Sequence, residues 1–183
     1  MVLASAGSES GTRLPRPHGR VRHPSAGFGT PSGVRVLEFN TRFGDPETQA
    51  VLPRLRSDLL ELLEASTRPG GLAGLEPEWS PDWAVTVVLA SRGYPETSSS
   101  GDRITGLDEV EDVEVFHAAT ARDGDDFVTA GGRVLGVTAL GATAGEARDR
   151  AYAAVDRIDF DGRQVRGDIA ARAVGPAASR VTP

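Results

Sequence analysis

Proline and glycine cluster in two segments of this chain, and they confine folded structure to the stretches between and after them. Residues 1–32 alternate Pro, Gly, Ser and Arg without an apolar period, and "RPGGLAGLEPEWSPD" follows at 68–82. Such compositions bury too little apolar surface to offset the entropy cost of ordering the chain. We therefore expect this division: a disordered segment at 1–32, folded units at 33–68 and 80–175, a linker at 69–79 and a tail at 176–183.

The first folded unit combines a short strand with helices. Residues 34–39, "VRVLEF", predict the strand. Asp45 suits a helix N-cap and Pro46 suits the first helical position, because proline has no N–H to leave unpaired there. Pro53 would remove an internal hydrogen bond, so we expect a break, with Ser57 capping a second helix. That second helix has one apolar face: Leu59, Leu62 and Leu63.

The second folded unit is richer in strands. Its β-branched segments predict three of them: "WAVTVVLAS", "VEVFHAAT" and "RVLGVTALG". Gly131 and Gly132 predict a tight hairpin between "DDFVTA" and the last strand, because glycine readily takes the positive φ of such turns.

One helix is expected in this second unit, over "TAGEARDRAYAAVDRI". Thr143 and Glu146 have the spacing of a capping box, and Glu146 and Arg150 have the spacing of an ion pair. Its apolar residues share one face: Ala147, Ala151, Tyr152 and Val155.

Composition excludes several classes of function. The net charge of -6 argues against a nucleic-acid-binding surface over the chain as a whole. Cys is absent, which rules out a thiolate nucleophile or a Cys-ligated metal. All 20 basic residues counted as Lys plus Arg are Arg, so Schiff-base chemistry and a P-loop lysine are excluded. The apolar stretches are far shorter than the roughly 20 residues of a membrane-spanning helix.

The stretch "VLEFNTRFGDPETQ", residues 36–49, combines metal-ligating side chains with a turn. Glu38 and Asn40 lie two apart on the predicted strand, so their side chains point to one face. A carboxylate beside an amide oxygen suits Mg²⁺ or Mn²⁺, with waters and phosphate oxygens completing the coordination. A structural interpretation stays open, in which Asp45 caps a helix, Gly44 turns the chain and Glu38 is an ordinary strand residue.

Three further motifs have structural interpretations beside functional ones. His117 could act as a base, although a single His in a strand is more often structural. The acidic segment 121–126, "ARDGDD", could attract Ca²⁺ but lacks the Glu of an EF-hand loop, which favours a solvated turn. Residues 131–133 could bind a phosphate through backbone N–H groups and the Arg133 guanidinium, or could serve only as a hairpin turn.

The stretch 36–49 resembles the signature of the glycinamide ribonucleotide synthetase family, also called phosphoribosylamine–glycine ligase. The resemblance covers about residues 33–173 and departs from the family at Ala119 and Gly167, where Gly and Lys are usual. It continues in family order through these segments: "VLPRLRSDLLELL", "GYP", "GDRITGL", "VFHAAT", "GGRVLGVTALG" and "VRGDIAARA".

The resemblance implies an ATP-grasp enzyme that joins glycine to phosphoribosylamine at the expense of ATP, through a glycyl phosphate, in de novo purine biosynthesis. Glu38 and Asn40 match the family's metal-binding Glu and Asn, which hold Mg²⁺ or Mn²⁺ on the nucleotide phosphates. Arg42 and Asp45 match charged signature positions, Arg42 as an anion contact and Asp45 as loop support or a substrate contact. A cytoplasmic location follows, with neither nucleic acid nor membrane as partner.

Only the C-terminal portion of the family, less than half, is matched. The expected fold class is α+β: the last strand and helices of an ATP-grasp domain at 33–68, then a small, mostly β C-terminal domain with one helix. Most of the ATP-binding domain is unmatched, so we expect a truncated fragment that is inactive alone. The alternative is a non-catalytic orphan module, or one half of a split enzyme that needs a separate N-terminal chain.

We expect trypsin to cut first within residues 1–32, because disordered backbone reaches a protease without local unfolding. Limited proteolysis followed by mass spectrometry gives the order of cleavage. First cuts within 80–175, with the N-terminal segment intact, would contradict this division. The expected sites are Arg13, Arg16, Arg20 and Arg22.

Overall fold

The computed structural model describes residues 42–174 in full. Glu38, Asn40 and residues 175–183 lie outside the described residues, so the predictions made for them remain predictions. Before residue 42, the structure describes only the backbone of three short strands: β1 (Leu3–Ala4), β2 (Gly27–Thr30) and β3 (Gly33–Val36).

Two of these strands lie within the segment that we expect to be disordered. β1 pairs antiparallel with Val85 and Ala84, and β2 pairs antiparallel with β3. The other residues of 1–32 are outside the described part of the chain, so the expectation of disorder is not tested there. β3 overlaps the strand predicted at 34–39.

The described residues form an α+β fold with antiparallel sheets and few helices. Seven more strands follow in residues 42–174: β4 (Trp83–Ala90), β5 (Ser100–Ile104), β6 (Glu114–His117), β7 (Thr120–Asp123), β8 (Asp126–Ala130), β9 (Arg133–Gly141) and β10 (Gln164–Val165). The main sheet has the order β1-β4-β9-β6, with β10 also paired to β4, and a smaller sheet has the order β5-β8-β7. The α+β class is confirmed, while the described residues do not test the ATP-grasp part of the prediction.

Four α-helices and one 3₁₀ turn complete the described part of the chain. The helices are α1 (Glu47–Val51), α2 (Leu59–Ser66), α3 (Ala144–Val155) and α4 (Ala171–Val174), and the 3₁₀ turn is Leu52–Arg54. None of these helices is long and apolar enough to cross a bilayer.

The core lies between the main sheet and α3. β4 and β9 pair over almost their whole length, and Val87 lies opposite Val137. Side chains alternate across a strand, so every second residue of β4 and β9 points toward α3. The predicted face of α3 is confirmed, since Ala147, Ala151 and Val155 are buried. The sheet side of the core consists of Val85, Val87, Leu89, Leu135, Val137 and Ala139, each at most 1% exposed.

The opposite face of the main sheet packs against α1. Ala50 of α1 is buried against Ala84, and Leu140 packs beside them. Thr86 and Thr138 are buried on this face, with their hydroxyl oxygens 2.7 Å apart. The hydrogen bond satisfies two polar groups that would otherwise be costly to bury. The main sheet is therefore covered on both sides.

The predicted hairpin through Gly131 and Gly132 is wrong. β8 pairs with β5 and β7, and the two glycines instead carry the chain from the small sheet into β9 of the main sheet. The turn with positive φ is at Gly124, between β7 and β8, within the segment expected to be a solvated turn. Gly132 is required for close packing, because a Cβ there would lie 2.5 Å from Cδ2 of Tyr94.

Neither residue predicted to cap a helix in the first unit, Asp45 or Ser57, is the cap in the structure. α1 begins at Glu47 with Pro46 at the N-cap position and no side-chain cap, and the Asp45 carboxylate instead contacts Gln49 and Arg133. Asp58 caps α2 in place of Ser57, whose hydroxyl oxygen accepts a hydrogen bond from the Glu78 N–H at 2.7 Å.

The expected break at Pro53 and the expected cap of α3 are both confirmed. Pro53 lies in the 3₁₀ turn, after which the backbone is extended. The Thr143 hydroxyl accepts from the Glu146 N–H at 3.1 Å, and the Glu146 carboxylate accepts from the Ala142 N–H at 2.9 Å. Glu146 and Arg150 also form the predicted ion pair, at 2.5 Å.

Val137→Asp should unfold the main sheet, because Val137 is 0% exposed and an unpaired carboxylate there has no partner. We expect the free energy of unfolding to fall by about 3 kcal/mol or more. Urea denaturation followed by circular dichroism measures the change. Val174→Asp is the matched control, because Val174 is 45% exposed. Equal midpoints for the two variants would show that the inward face of β9 is wrongly assigned.

Candidate functional site

Residues 42–46, the signature loop, lead into α1 beside the main sheet. A cavity of about 280 Å³ lies between this loop, α1 and β6, and we name it the α1 cavity. The residues lining it are Phe43, Gly44, Asp45, Thr48, Gln49, Leu52, Phe116 and His117.

The loop closes onto the first turn of α1. The Gly44 carbonyl accepts hydrogen bonds from the Thr48 N–H at 2.9 Å and from the Thr48 hydroxyl at 2.6 Å. Gly44 is buried, whereas Arg42 and Phe43 are exposed. The Gly44 carbonyl is therefore fixed by Thr48, and the exposed Arg42 and Phe43 leave the other side of the loop accessible to a ligand.

The Asp45 carboxylate is held by two side chains. Its Oδ2 lies 3.0 Å from an Arg133 terminal nitrogen, and its Oδ1 accepts from the Gln49 amide at 2.9 Å. Arg133 also donates to the Asp45 main-chain carbonyl at 3.1 Å. Charge-assisted bonds of this kind are stronger and more directional than neutral ones. The orientation of Asp45 is therefore set by a residue of β9.

A second set of contacts joins α1 to the sheet. The Thr138 hydroxyl donates to the Gln49 main-chain carbonyl at 3.0 Å, and Thr138 in turn bonds with Thr86. The Oε1 atom of Gln49 is buried and has no hydrogen-bond partner among the described residues.

His117 forms one wall of the α1 cavity, at the end of β6. Its Nδ1 lies 3.0 Å from the Thr120 hydroxyl, and its ring centroid lies 4.4 Å from that of Phe127. Partial burial lowers the pKa of His117, and the positive charge of Arg122 lowers it further. Both effects favour the neutral imidazole at this wall of the cavity.

The structure places Arg42 and Asp45 in one loop, while Glu38 and Asn40 lie outside the described residues. Within residues 42–174, His, Asp and Glu side chains form no group of three that could hold a metal ion. The Asp45 carboxylate already forms an ion pair with Arg133 through Oδ2 and accepts a hydrogen bond from Gln49 through Oδ1. A metal at this site would depend on Glu38 and Asn40, which lie outside the described residues.

Sequence reasoning missed the residues that hold the loop. Gln49 follows Asp45 at the i, i+4 spacing, which was a usable local signal. Thr138 stands alone as a polar residue within an apolar strand, a second usable signal. Arg133 was considered only as a phosphate contact, and its pairing with Asp45, 88 residues away, has no local signature.

Comparisons with known proteins agree on one family. The family model for "Phosphoribosylglycinamide synthetase, C domain" matches residues 84–172. The phosphoribosylamine–glycine ligase of Streptomyces coelicolor is 59% identical over 152 residues, which cover 80% of this chain and 36% of the relative. The corresponding ligase of Leifsonia xyli is 55% identical over 150 residues, covering 79% of this chain and 36% of the relative.

A solved structure gives the same result for the fold. The crystal structure of phosphoribosylamine–glycine ligase from Thermotoga maritima matches with a TM-score of 0.61 and 34% identity, over 78% of this chain and 35% of that chain. The chain thus spans about a third of the length of the relatives that it matches. These similarities agree: the chain belongs to the phosphoribosylamine–glycine ligase family and contains the family's C domain.

Proposed function

We propose that this chain supplies the C-terminal part of a phosphoribosylamine–glycine ligase, which forms an amide between glycine and phosphoribosylamine with ATP in purine biosynthesis. The observation that carries the proposal is the signature loop, whose Asp45 is oriented by Arg133 at the edge of the α1 cavity. The 59% identity to the Streptomyces coelicolor ligase supports it.

The proposed reaction has two steps. The glycine carboxylate attacks the γ-phosphate of ATP to give glycyl phosphate and ADP, and the amine of phosphoribosylamine then displaces phosphate at the acyl carbon. Such catalysis depends mainly on positioning and on stabilising charge. Arg42, exposed at the start of the loop, is suited to contact an anionic group of a substrate. Asp45 has both carboxylate oxygens engaged, which favours loop support among its two proposed roles.

The proposed metal ligands are Glu38 and Asn40. A bound Mg²⁺ or Mn²⁺ would neutralise negative charge on the nucleotide phosphates. Two protein ligands leave most of the coordination to water and phosphate oxygens, as is usual for Mg²⁺. The role of this chain is then to hold those two side chains beside the signature loop.

We further propose that the 183-residue chain does not complete the reaction by itself. It contains no Lys, so Arg is its only permanently charged cationic side chain for contacts with nucleotide phosphates. Two metal ligands make a weak site without a nucleotide. A second polypeptide portion that binds ATP would complete the assembly.

Exposed apolar side chains favour the split-enzyme version of this proposal. Leu60 and Leu63 of α2 are 63% and 42% exposed, whereas Leu59 and Leu62 of its predicted apolar face are partly buried. Exposed apolar groups that lie close together commonly mark an interaction surface. The segment after α2 exposes three more large side chains: Leu72, Leu75 and Trp79.

The test is reconstitution. Residues 33–183 would replace the matching portion of the Streptomyces coelicolor ligase, and ADP release would be measured with ATP, Mg²⁺, glycine and phosphoribosylamine. Glu38→Gln should lower kcat at least about tenfold, because a metal ligand is lost. Glu61→Gln, an exposed change on α2, is the control and should leave turnover unchanged.

Equal activity of the Glu38 and Glu61 variants would contradict the metal role of Glu38. The 183-residue chain assayed alone should release no ADP. Robust release by that chain, abolished by Glu38→Gln, would instead show that it is a minimal ligase.

The His117 imidazole should titrate below its unperturbed value of about 6.5. Because its pKa is lowered in the folded chain, the unfolded chain binds more protons below that value. The free energy of unfolding should therefore decrease as the pH falls from about 6.5 through the folded pKa. NMR titration of the chain, with His117→Asn to assign the signal, measures the pKa. Titration at or above 6.5 would contradict the assigned environment.

A further inference from the structure

Arg133 lies at the start of β9, outside both the signature loop and α1. We propose that Arg133 is a positioning residue for the ligation reaction, acting through Asp45. This inference rests on the proposed function for its catalytic consequence, but the contact itself belongs to the fold of this chain.

Arg133 contacts both the main chain and the side chain of Asp45. One terminal nitrogen of Arg133 donates to the main-chain carbonyl of Asp45 at 3.1 Å, and the other lies 3.0 Å from its carboxylate Oδ2. A guanidinium is planar and rigid, so two bonds to one residue fix both its peptide group and its side chain. The peptide that follows is the cis Asp45–Pro46 bond, which leads into α1.

The same strand holds α1 at a second point. Thr138 donates to the Gln49 main-chain carbonyl at 3.0 Å, and Gln49 donates to the remaining Asp45 oxygen at 2.9 Å. Asp45 is thus bonded to β9 directly through Arg133 and indirectly through Gln49 and Thr138. Because β9 is a central strand of the main sheet, it is a rigid support for the loop.

The contact contributes more to orientation than to stability. The side chains of Arg133 and Asp45 are 38% and 49% exposed, and ion pairs with that much solvent contribute little to folding. Arg133 was a candidate phosphate contact by sequence, but both of its terminal nitrogens are directed at Asp45. Losing Arg133 should therefore leave the fold intact and release the loop.

The first test uses the 183-residue chain alone and needs no ligase activity. In Arg133→Gln, amide hydrogen exchange over residues 43–49 should accelerate about threefold to fivefold, and exchange in β4 should not change. Arg103→Gln is the control, because Arg103 forms a solvent-exposed pair with Asp126 at 2.9 Å, away from the loop. Unchanged exchange over 43–49 in Arg133→Gln would overturn the proposal.

The second test measures catalysis in the reconstituted ligase described above. Arg133→Gln should lower kcat/KM about tenfold without shifting the urea midpoint, and Arg133→Lys should recover part of the loss. Because Arg133 acts partly through the Asp45 carboxylate, the double variant with Asp45→Asn should lose less than the sum of the two single losses. Additive losses would overturn the proposal.

The two tests separate this inference from the proposed function. An unsubstituted chimera that makes no product contradicts the proposed function. The exchange measurement still decides whether Arg133 sets the conformation of the loop. Faster exchange with unchanged kcat/KM would overturn the positioning role.

Discussion

The antiparallel pairing of β4 with β9 is the interaction on which the rest of this structure depends. Strand geometry sends alternate side chains to opposite faces. One face places Val87 and Val137 against α3, and the other places Thr86 and Thr138 toward α1. A register slip of one residue would exchange the two sets, burying hydroxyls in the core and exposing valines. The same pairing therefore builds both the core and the support for the signature loop.

The two faces of β9 explain how a β-rich domain supports a loop that precedes it in the chain. Apolar burial against α3 stabilises the strand, and the hydrogen bonds on the other face use that rigidity to orient α1. Asp45 is held by the strand at its start, through Arg133. The chemistry proposed for the family depends on positioning, and a rigid strand supplies positioning without contacting a substrate itself.

Local signals predicted the elements well, and long-range contacts account for what they missed. α3 followed from its capping residues and from the spacing of Ala147 and Ala151, because both depend only on near neighbours. The prediction of Asp45 as a helix cap is wrong, since Pro46 takes the N-cap position and Arg133, 88 residues away, contacts the Asp45 carboxylate and main-chain carbonyl. Gly132 was predicted as a turn residue, whereas packing against Tyr94 requires glycine there. Contacts between residues far apart in the sequence leave no periodic pattern or short spacing, so the sequence alone does not predict them.

Residues 68–82 lie between the two predicted folded units in the sequence, but the two units remain in contact. Arg54 donates to the Ser80 carbonyl at 2.8 Å, and Leu55 forms a β-bridge with Trp79. The matched C domain starts at residue 84. Its strand β9 is nevertheless hydrogen-bonded to α1, which precedes the 68–82 segment in the sequence. A recombination point placed in the segment would therefore join a loop from one parent to the supporting arginine of another. A segment exchanged between members of the family would therefore have to start before residue 42, so that the signature loop and Arg133 come from the same parent.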